Sequence, residues 1–193
     1  MSEWPFGSLR MFGYDLVMID PPWPFDLWSN AGNEKSAAAQ YDCMTREEII
    51  SLPVGNLLRA GGVLWLWCTW PLAAEGFHVE CLRAWGLEGK TGGAWAKRTA
   101  SGKLRWGTGY LVRSVCEPFF IATIGADREY DGAAECNLID GLAREHSRKP
   151  EEAYSLCERV MPHAWRADVF SRENRVGWDC WGREAGKFNA TAG

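Results

Sequence analysis

The sequence predicts an α/β protein, namely a single three-layer α/β/α domain of the broad Rossmann type. Short apolar runs alternate with helix-like segments along much of the chain. The runs lack polar–apolar alternation, which is typical of parallel strands buried on both faces of a sheet. No linker or internal repeat divides the 193 residues. We therefore expect one domain covering residues 1–193.

The predicted strands are short apolar runs rich in β-forming residues. The first is "YDLVMID" at 14–20, which ends at Pro21 and Pro22 because proline cannot donate a hydrogen bond to a ladder. Two further runs are equally clear, at 61–69 and 118–125. Weaker strands are predicted at 93–99, 135–141, 166–172 and 178–182.

Three segments carry the signals of helices. Segment 45–58 begins with Thr45 and has Glu48 three residues later, which is the pattern of a capping box. Segment 71–86 has proline in its first turn and ends at a glycine. Segment 149–161 has acids in its first turn, where they favour the helix dipole. The stretches without periodicity are predicted to be loops, at 30–42 and 101–112.

Composition excludes several classes of protein. Hydrophobic residues make up 47% of the chain, which is too many for a disordered protein. The net charge of −4 excludes a uniformly basic nucleic-acid-binding protein, so nucleic acid would need a local basic patch. The longest apolar stretch, 61–74, is too short and too broken to span a membrane. The first residues do not resemble a signal peptide, and we expect a cytoplasmic protein.

Cysteine and histidine usage indicates no metal site. The seven cysteines are odd in number, and no two have Cys-x-x-Cys spacing. Several lie in hydrophobic patterns, so we expect reduced and mostly buried thiols. None of the three histidines lies near a cysteine at the spacing of metal ligands.

The residues after the first strand could activate an amine. Ligands of α/β sheets bind beyond the carboxyl ends of strands, where Asp20 lies. The Asp20 carboxylate and the Pro21 carbonyl, which is not needed by the sheet, could both accept hydrogen bonds from the exocyclic amine of a base. The nitrogen lone pair would then be less conjugated with the ring and more nucleophilic. Pro22 would fix the turn, and Trp23 could stack on the base.

S-adenosylmethionine is the methyl donor that suits this chemistry. Its methyl group would be transferred to the amine by in-line displacement, and holding the two reactants in line would be the main catalytic task. No metal is required. The alternative interpretation of Asp20 to Trp23 is a simple turn with a buried tryptophan.

The chain resembles a known family of adenine-N6 methyltransferases with an Asp-Pro-Pro-Trp motif. That family contains the catalytic subunit of the eukaryotic messenger-RNA N6-adenosine methyltransferase and small bacterial and phage relatives. The resemblance covers roughly 14–184 and implies a Rossmann-like methyltransferase core with permuted motif order, in which the catalytic motif comes early. The shared segments are "VMIDPPW", "YDCMTREEI", "GGVLWLWCT", "CLRAWG", "AWAK", "SRKPEEAY", "ADVFSR" and "GWDCWGRE".

The resemblance also implies a set of cofactor-binding residues. Asp20 approaches the amino group of the cofactor's methionine, Lys149 its carboxylate and Arg172 its ribose. The remaining implied positions are Asp168, Asn174, Arg183 and Glu184. Glu184 suits ribose hydroxyls. Position 183 departs from the family, which has asparagine there, and an arginine cannot accept a hydrogen bond from the cofactor's adenine.

The resemblance also implies residues that bind the acceptor base. Tyr41 and Trp95 match positions that line the acceptor pocket in the family, although either could be an ordinary core or rim aromatic. The segment 97–113 contains basic residues and no acid, with aromatic residues between them. It could hold a phosphate backbone and stack bases, or it could be a solvated face. The candidate residues there are Lys97, Arg105, Tyr110 and Arg113.

The sequence therefore favours an adenine-N6 methyltransferase. DNA is favoured as the substrate because small microbial relatives mostly act on DNA, and RNA is the nearest alternative. A different class is a non-catalytic nucleic-acid-binding subunit, which the intact Asp20 argues against and Arg183 supports. Nucleic acid is the expected partner, and both a homodimer and a sister subunit remain open.

Overall fold

The structure is a computed structural model that describes residues 3–24, 43–125, 132–145 and 148–189. These residues form one seven-stranded sheet with helices on both faces. The strands are β1 (Tyr14–Ile19), β2 (Leu58–Trp67), β3 (Glu88–Arg98), β4 (Cys116–Thr123), β5 (Leu138–Leu142), β6 (Arg166–Val169) and β7 (Trp178–Trp181). The helices are α1 (Arg46–Ile50), α2 (Trp70–Ala74), α3 (Phe77–Ala84) and α4 (Glu151–Val160), with a 3-10 turn at Val54–Leu57.

The sheet is mixed rather than wholly parallel. Its strand order is β5-β3-β4-β2-β1-β6-β7, and β4 runs antiparallel to both of its neighbours. The other neighbouring pairs are parallel. The expectation of a parallel sheet is therefore wrong at β4. The segment between β3 and β4 contains no crossover helix and returns the chain at the same edge, which forces an antiparallel pair.

Two hydrophobic cores cover the two faces of the sheet and confirm the three-layer α/β/α prediction. Val17 and Ile19 of β1 belong to the core that includes residues of α1, α2 and α3. Leu16 and Met18 belong to the core that includes residues of α4. Successive strand side chains point to opposite faces, so β1 is buried on both sides.

Two predicted helices are shorter than their sequence patterns suggested. The capping box of α1 is confirmed, since Glu48 N donates to Thr45 Oγ1 over 3.2 Å and Thr45 N donates to Glu48 Oε2 over 2.7 Å. The helix ends at Ile50, and the 3-10 turn begins after Pro53. The predicted helix 71–86 is divided into α2 and α3 at Gly76, whose φ of +80° a non-glycine residue would rarely adopt.

The carboxyl ends of β1 and β6 lie at a change in the direction of winding. From β1 the chain passes to β2 on one side, whereas from β6 it passes to β7 on the other. Ligands of open α/β sheets bind in the crevice beyond such a point. Ile19 pairs with Val169 of β6 and with Leu66 of β2, so Asp20 follows at the same edge as the residues after those strands.

The cysteines form no disulfide, although all seven lie in the described part of the chain. Cys68, Cys81 and Cys157 are buried, so fewer than half are buried, contrary to the expectation. Among the described residues, no group of His, Cys, Asp or Glu side chains could hold a metal ion. The helices in those same ranges are all too short or too polar to cross a membrane.

Candidate active site

Four alternating charges lie in a row at the carboxyl edge of the sheet. The Lys149 ammonium lies 2.9 Å from Asp20 Oδ2 and also contacts Glu117 Oε1. Glu117 Oε2 lies 2.6 Å from the Lys97 ammonium. The residues come from four places, because Asp20 follows β1, Lys149 precedes α4, Glu117 is in β4 and Lys97 is in β3. Only 8% of the Lys149 side chain is exposed, so this lysine is the buried centre of the row.

The row makes its two carboxylates unequal acids. Burial raises the pKa of Asp20, and the attraction of Lys149 only partly opposes this. Burial also acts to raise the pKa of Glu117, but Lys149 and Lys97 outweigh it and lower the value to about 2. Burial acts to lower the pKa of Lys149, yet its two carboxylate partners raise it. Glu117 is thus a fixed anion, and Asp20 is the better proton acceptor of the two.

Glu117 was not predicted as a site residue from the sequence. It lies directly before the predicted strand 118–125, and its importance depends on its ion pairs with Lys149 and Lys97, which come from other elements. Cross-strand register cannot be deduced from one strand alone. The one usable signal was a single acid at the entry to an otherwise apolar run, where an unpaired carboxylate would be costly.

A cavity next to Asp20 brings together four of the predicted cofactor residues. Asp20, Lys149, Asp168 and Arg172 all line it. Its other lining residues are Trp67, Arg148, Tyr154, Phe170, Ser171 and Glu173. The cavity lies at the carboxyl ends of β1 and β6, where the winding of the sheet predicts a ligand.

Asp168 is a buried acid whose pKa is raised into the neutral range. The Tyr154 hydroxyl donates to Asp168 Oδ2 over 2.8 Å. Burial raises the pKa of Asp168 to about 7, although the hydrogen bonds from Tyr154 and Ser171 oppose the rise. The charge of Asp20 nearby also acts to raise it. The cavity therefore contains an acid that titrates near neutral pH.

Glu173 organises a cluster of arginines at the wall of the cavity. Its carboxylate accepts hydrogen bonds from Arg144 over 3.0 Å, from Arg148 over 3.1 Å and from Arg175 over 2.8 Å. Arg144 Nε also donates to the carbonyl of Lys149 over 3.2 Å. Glu173 is buried and so fixes the backbone beside Lys149. The sequence did not identify this cluster, because its members are spread from 144 to 175.

The predicted cofactor residues near the end of the sequence divide into two groups. Arg172 lines the cavity, and its Nε donates to Glu184 Oε2 over 2.7 Å, whereas Glu184 itself is not a lining residue. The Arg172 guanidinium also lies 5.4 Å from the ring centre of Phe188. Asn174 and Arg183 are exposed and do not line the cavity in the described residues.

The carbonyl groups of both prolines in the motif accept backbone hydrogen bonds. The Pro21 carbonyl is outside the sheet ladder but accepts the amide of Trp23 over 2.8 Å, since the chain turns tightly there. The Pro22 carbonyl accepts the amide of Met44 over 2.9 Å. The Pro21 carbonyl is thus outside the ladder, as expected, but it already accepts one hydrogen bond within the turn. A carbonyl has two lone pairs, so the turn does not exclude a second donor.

Two predicted acceptor-side tryptophans lie in the protein interior, namely Trp23, expected to stack on the base, and Trp95, expected to line its pocket. Trp23 is 7% exposed and packs edge-to-face on Phe77, with ring centres 5.7 Å apart. Trp95 is also buried, and its indole donates to the carbonyl of Gly141 over 3.0 Å. A base could stack on Trp23 only if the indole left this packing, so that role stays a prediction. Tyr41 lies outside the described residues.

The remaining acceptor-side candidates lie on one connection. Arg105, Tyr110 and Arg113 are exposed on the segment between β3 and β4. The Arg105 amide donates to the carbonyl of Lys97 over 2.7 Å, which ties the segment to the charged row. The connection joins the ends of β3 and β4 that carry Lys97 and Glu117.

Comparison with known protein families identifies the family of this chain. The sequence model of the MT-A70 family matches residues 14–184, which include every residue of the charged row. The chain belongs to the MT-A70 family. The match covers all seven strands, so the family and the Rossmann-like fold expected from the sequence are both confirmed.

Individual relatives are named as adenosine methyltransferases. The chain is 28% identical to "N(6)-adenosine-methyltransferase MT-A70-like" of Arabidopsis thaliana over 92% of its own length. It is 28% identical over 84% of its length to "N(6)-adenosine-methyltransferase catalytic subunit METTL3" of Homo sapiens. It is also 28% identical over 91% of its length to "N6-methyladenosine RNA methyltransferase MTA1" of Cryphonectria parasitica.

The chain spans only part of the length of these relatives. The match spans 25% of the Arabidopsis protein, 26% of the human protein and 52% of the fungal protein. Their names refer to adenosine, and one of them names RNA explicitly. None of these three names refers to DNA, so the preference for DNA drawn from the sequence receives no support.

Proposed function

We propose that this chain transfers a methyl group from S-adenosylmethionine to the exocyclic N6 of adenine in RNA. The observation that carries the proposal is the Asp20 carboxylate, held by Lys149 at the point where the sheet changes its winding. The names of the MT-A70 relatives support adenine N6 as the acceptor and favour RNA over DNA.

The cavity has the chemistry that the cofactor requires. The methionine part of S-adenosylmethionine carries an ammonium and a carboxylate, and its ribose carries two hydroxyls. The cavity offers Asp20 and Asp168 for the ammonium, and Lys149 for the carboxylate. Glu184, held by Arg172, is a suitable acceptor for ribose hydroxyls. Acids and bases on one small surface match a zwitterion better than they match a singly charged ligand.

Asp20 and Pro21 orient and activate the acceptor. When bound, the cofactor supplies an electrophilic methyl group. The Asp20 carboxylate accepts a hydrogen bond from the adenine amine, and the second lone pair of the Pro21 carbonyl can accept another. In the transfer, a bond from N6 to the methyl group would form as the sulfur–methyl bond of the cofactor broke, and one N6 proton would have to leave. Asp20 is suited to accept it, because its pKa is raised while that of Glu117 is lowered.

Lys149 and Glu117 act through Asp20. Lys149 fixes the carboxylate at 2.9 Å and sits over the Trp67 ring at 5.1 Å, so its position is defined on two sides. Glu117 holds the other side of the ammonium and is itself held by Lys97. Preorganised charges of this kind need no rearrangement during the reaction.

The connection between β3 and β4 would hold the RNA. Arg105 and Arg113 are exposed and positively charged, and Tyr110 is exposed beside them. Cations neutralise phosphates and aromatic rings stack on bases of single strands. A human relative is named a catalytic subunit, which favours a second chain that completes the RNA-binding surface.

A transfer experiment tests the proposal. The protein is incubated with methyl-labelled S-adenosylmethionine and, separately, RNA, single-stranded DNA and duplex DNA, and each product is digested to nucleosides. We expect N6-methyladenosine from RNA at the highest rate. Label in DNA alone would show that the substrate assignment is wrong. Absence of N6-methylated adenine from all three would contradict the proposed reaction.

A further inference from the structure

Three strongly exposed apolar side chains follow one another on the connection between β3 and β4. Tyr110 is 86% exposed, Leu111 is 90% exposed and Val112 is 79% exposed. We name these three residues the loop tip. Exposed apolar residues are ordinary when scattered, but three in succession on the connection that follows Lys97 are not.

The loop tip is held in shape by its own backbone. Gly107 N donates to the carbonyl of Ser114 over 2.7 Å, and Ser114 N donates to the carbonyl of Thr108 over 3.0 Å. A Cβ on Gly109 would lie 2.0 Å from the carbonyl oxygen of Val112, so only glycine allows this closure. The apolar side chains are therefore presented by a preformed loop, which lowers the ordering cost of any contact they make.

The surroundings of the loop tip are positively charged. Arg113 donates to the carbonyl of Gly107 over 2.9 Å, and its guanidinium lies 5.5 Å from the Trp106 ring centre. No acid occurs between residues 97 and 116 of the sequence. An apolar apex surrounded by cations is complementary to stacked bases flanked by phosphates.

We propose that the loop tip is a wedge that enters the base stack beside the target adenine, an inference that rests on the proposed function. Leu111 and Val112 separate the neighbouring bases, and the freed adenine reaches Asp20. Proteins that kink nucleic acids insert apolar side chains such as leucine in this way. An enzyme acting on a base within a paired region must first extract it.

A nucleic acid suits the loop tip better than a protein partner. A stable protein interface buries roughly 800 Å² on each partner. The largest side chain of the tip, Tyr110, can bury about 150–250 Å², so three residues alone fall short of that area. One base step is a target of matching size.

The test uses an RNA hairpin with 2-aminopurine next to the target adenosine. Stacking quenches the fluorescence of this base, so wild-type protein should raise its emission severalfold on binding. Leu111→Ser/Val112→Ser should bind the hairpin but lose most of the rise, and its methylation of the hairpin should fall by about tenfold or more. Val176→Ser is the matched control, because Val176 is 98% exposed on another loop.

Each remaining outcome is decisive. A fluorescence rise equal to wild type in the double variant would overturn the wedge, as would a flat signal from wild-type protein bound to the hairpin. A dimer in wild-type sedimentation that becomes a monomer in the double variant would assign the tip to protein contact instead. The proposed function is tested separately, since wild-type protein can methylate RNA while the wedge signal stays flat.

Discussion

Lys149 is the residue on which the charged row depends. It is buried between the carboxylates of Asp20 and Glu117, and its removal would leave two buried acids with one ammonium, that of Lys97. Removing one partner of a buried ion pair is costly because the other charge remains buried. The position of Asp20 would also be lost.

Lys149→Ala should therefore weaken both stability and cofactor binding. We expect a loss of about 3–5 kcal/mol in the free energy of unfolding, measured by urea denaturation. The affinity for S-adenosylhomocysteine, measured by calorimetry, should fall at least tenfold. Lys97→Ala is the control, since its side chain is more exposed and Glu117 would keep Lys149. An unchanged affinity in Lys149→Ala would remove this lysine from the cofactor site.

Asp168 should make stability depend on pH. Its pKa is about 7 in the folded protein against 3.8 for an ordinary aspartate, so the folded state holds the proton more tightly. Its contribution to stability is therefore lost as pH rises from about 4 to about 7. Asp168→Asn cannot titrate, and the wild-type free energy of unfolding should decline relative to the variant by up to about 1.4 kcal/mol per pH unit. Parallel pH profiles of the two proteins would contradict the assignment.

At the scale of elements, the edge of the sheet defines the site. The end of β7 packs against the turn after β6 through Gly182, where a Cβ would lie 2.9 Å from the carbonyl oxygen of Ser171 and 3.0 Å from Cα of Phe170. Both neighbours are backbone atoms, so they cannot swing away. The segment that carries Arg172 would have to move instead.

Gly182→Ala should thus impair cofactor binding more than folding. We expect a measurable loss of affinity for S-adenosylhomocysteine and a small shift in Tm, read by calorimetry and thermal denaturation. Gly89→Ala is the matched control, since its Cβ would make only an ordinary contact of 3.5 Å with Leu82. Equal effects of the two substitutions on affinity would show that the packing of Gly182 is unimportant.

The sequence predicted those parts of the fold that depend on local patterns. The strand leading to Asp20 follows from an apolar run, and the capping box of α1 follows from two residues three positions apart. The burial of both sheet faces follows from strands that do not alternate between polar and apolar residues. The direction of β4 and the break at Gly76 do not, because they depend on how distant segments pack. Glu117 and Glu173 were missed for the same reason, since most of the partners that make them important lie far away in the sequence.

For the whole molecule, charge distribution matters more than total charge. The chain carries a net charge of −4, yet the charged residues of the segment between β3 and β4 are all basic. RNA should therefore bind through a local electrostatic contact that salt weakens strongly. Cofactor binding in the cavity should respond less, because buried pairs are screened less.

Arg105→Gln should lower the salt dependence of RNA affinity. Loss of one phosphate contact is expected to reduce the slope of log Kd against log salt by about 1, measured by fluorescence anisotropy over a salt series. Arg83→Gln on α3 is the control, being an exposed arginine on a different element. Identical slopes for Arg105→Gln and wild type would exclude Arg105 from the RNA contact.

The most direct test of the central claim is the rate of N6 methylation by Asp20→Asn on an RNA oligonucleotide with one adenosine. Asparagine keeps the size of the side chain but cannot hold the amine as a carboxylate does, and Lys149 would retain Glu117, so the fold should survive. We predict N6-methyladenosine from the wild type and a rate lower by about 10²-fold or more in the variant, with Tm nearly unchanged. A variant that methylates at the wild-type rate would contradict the role assigned to Asp20.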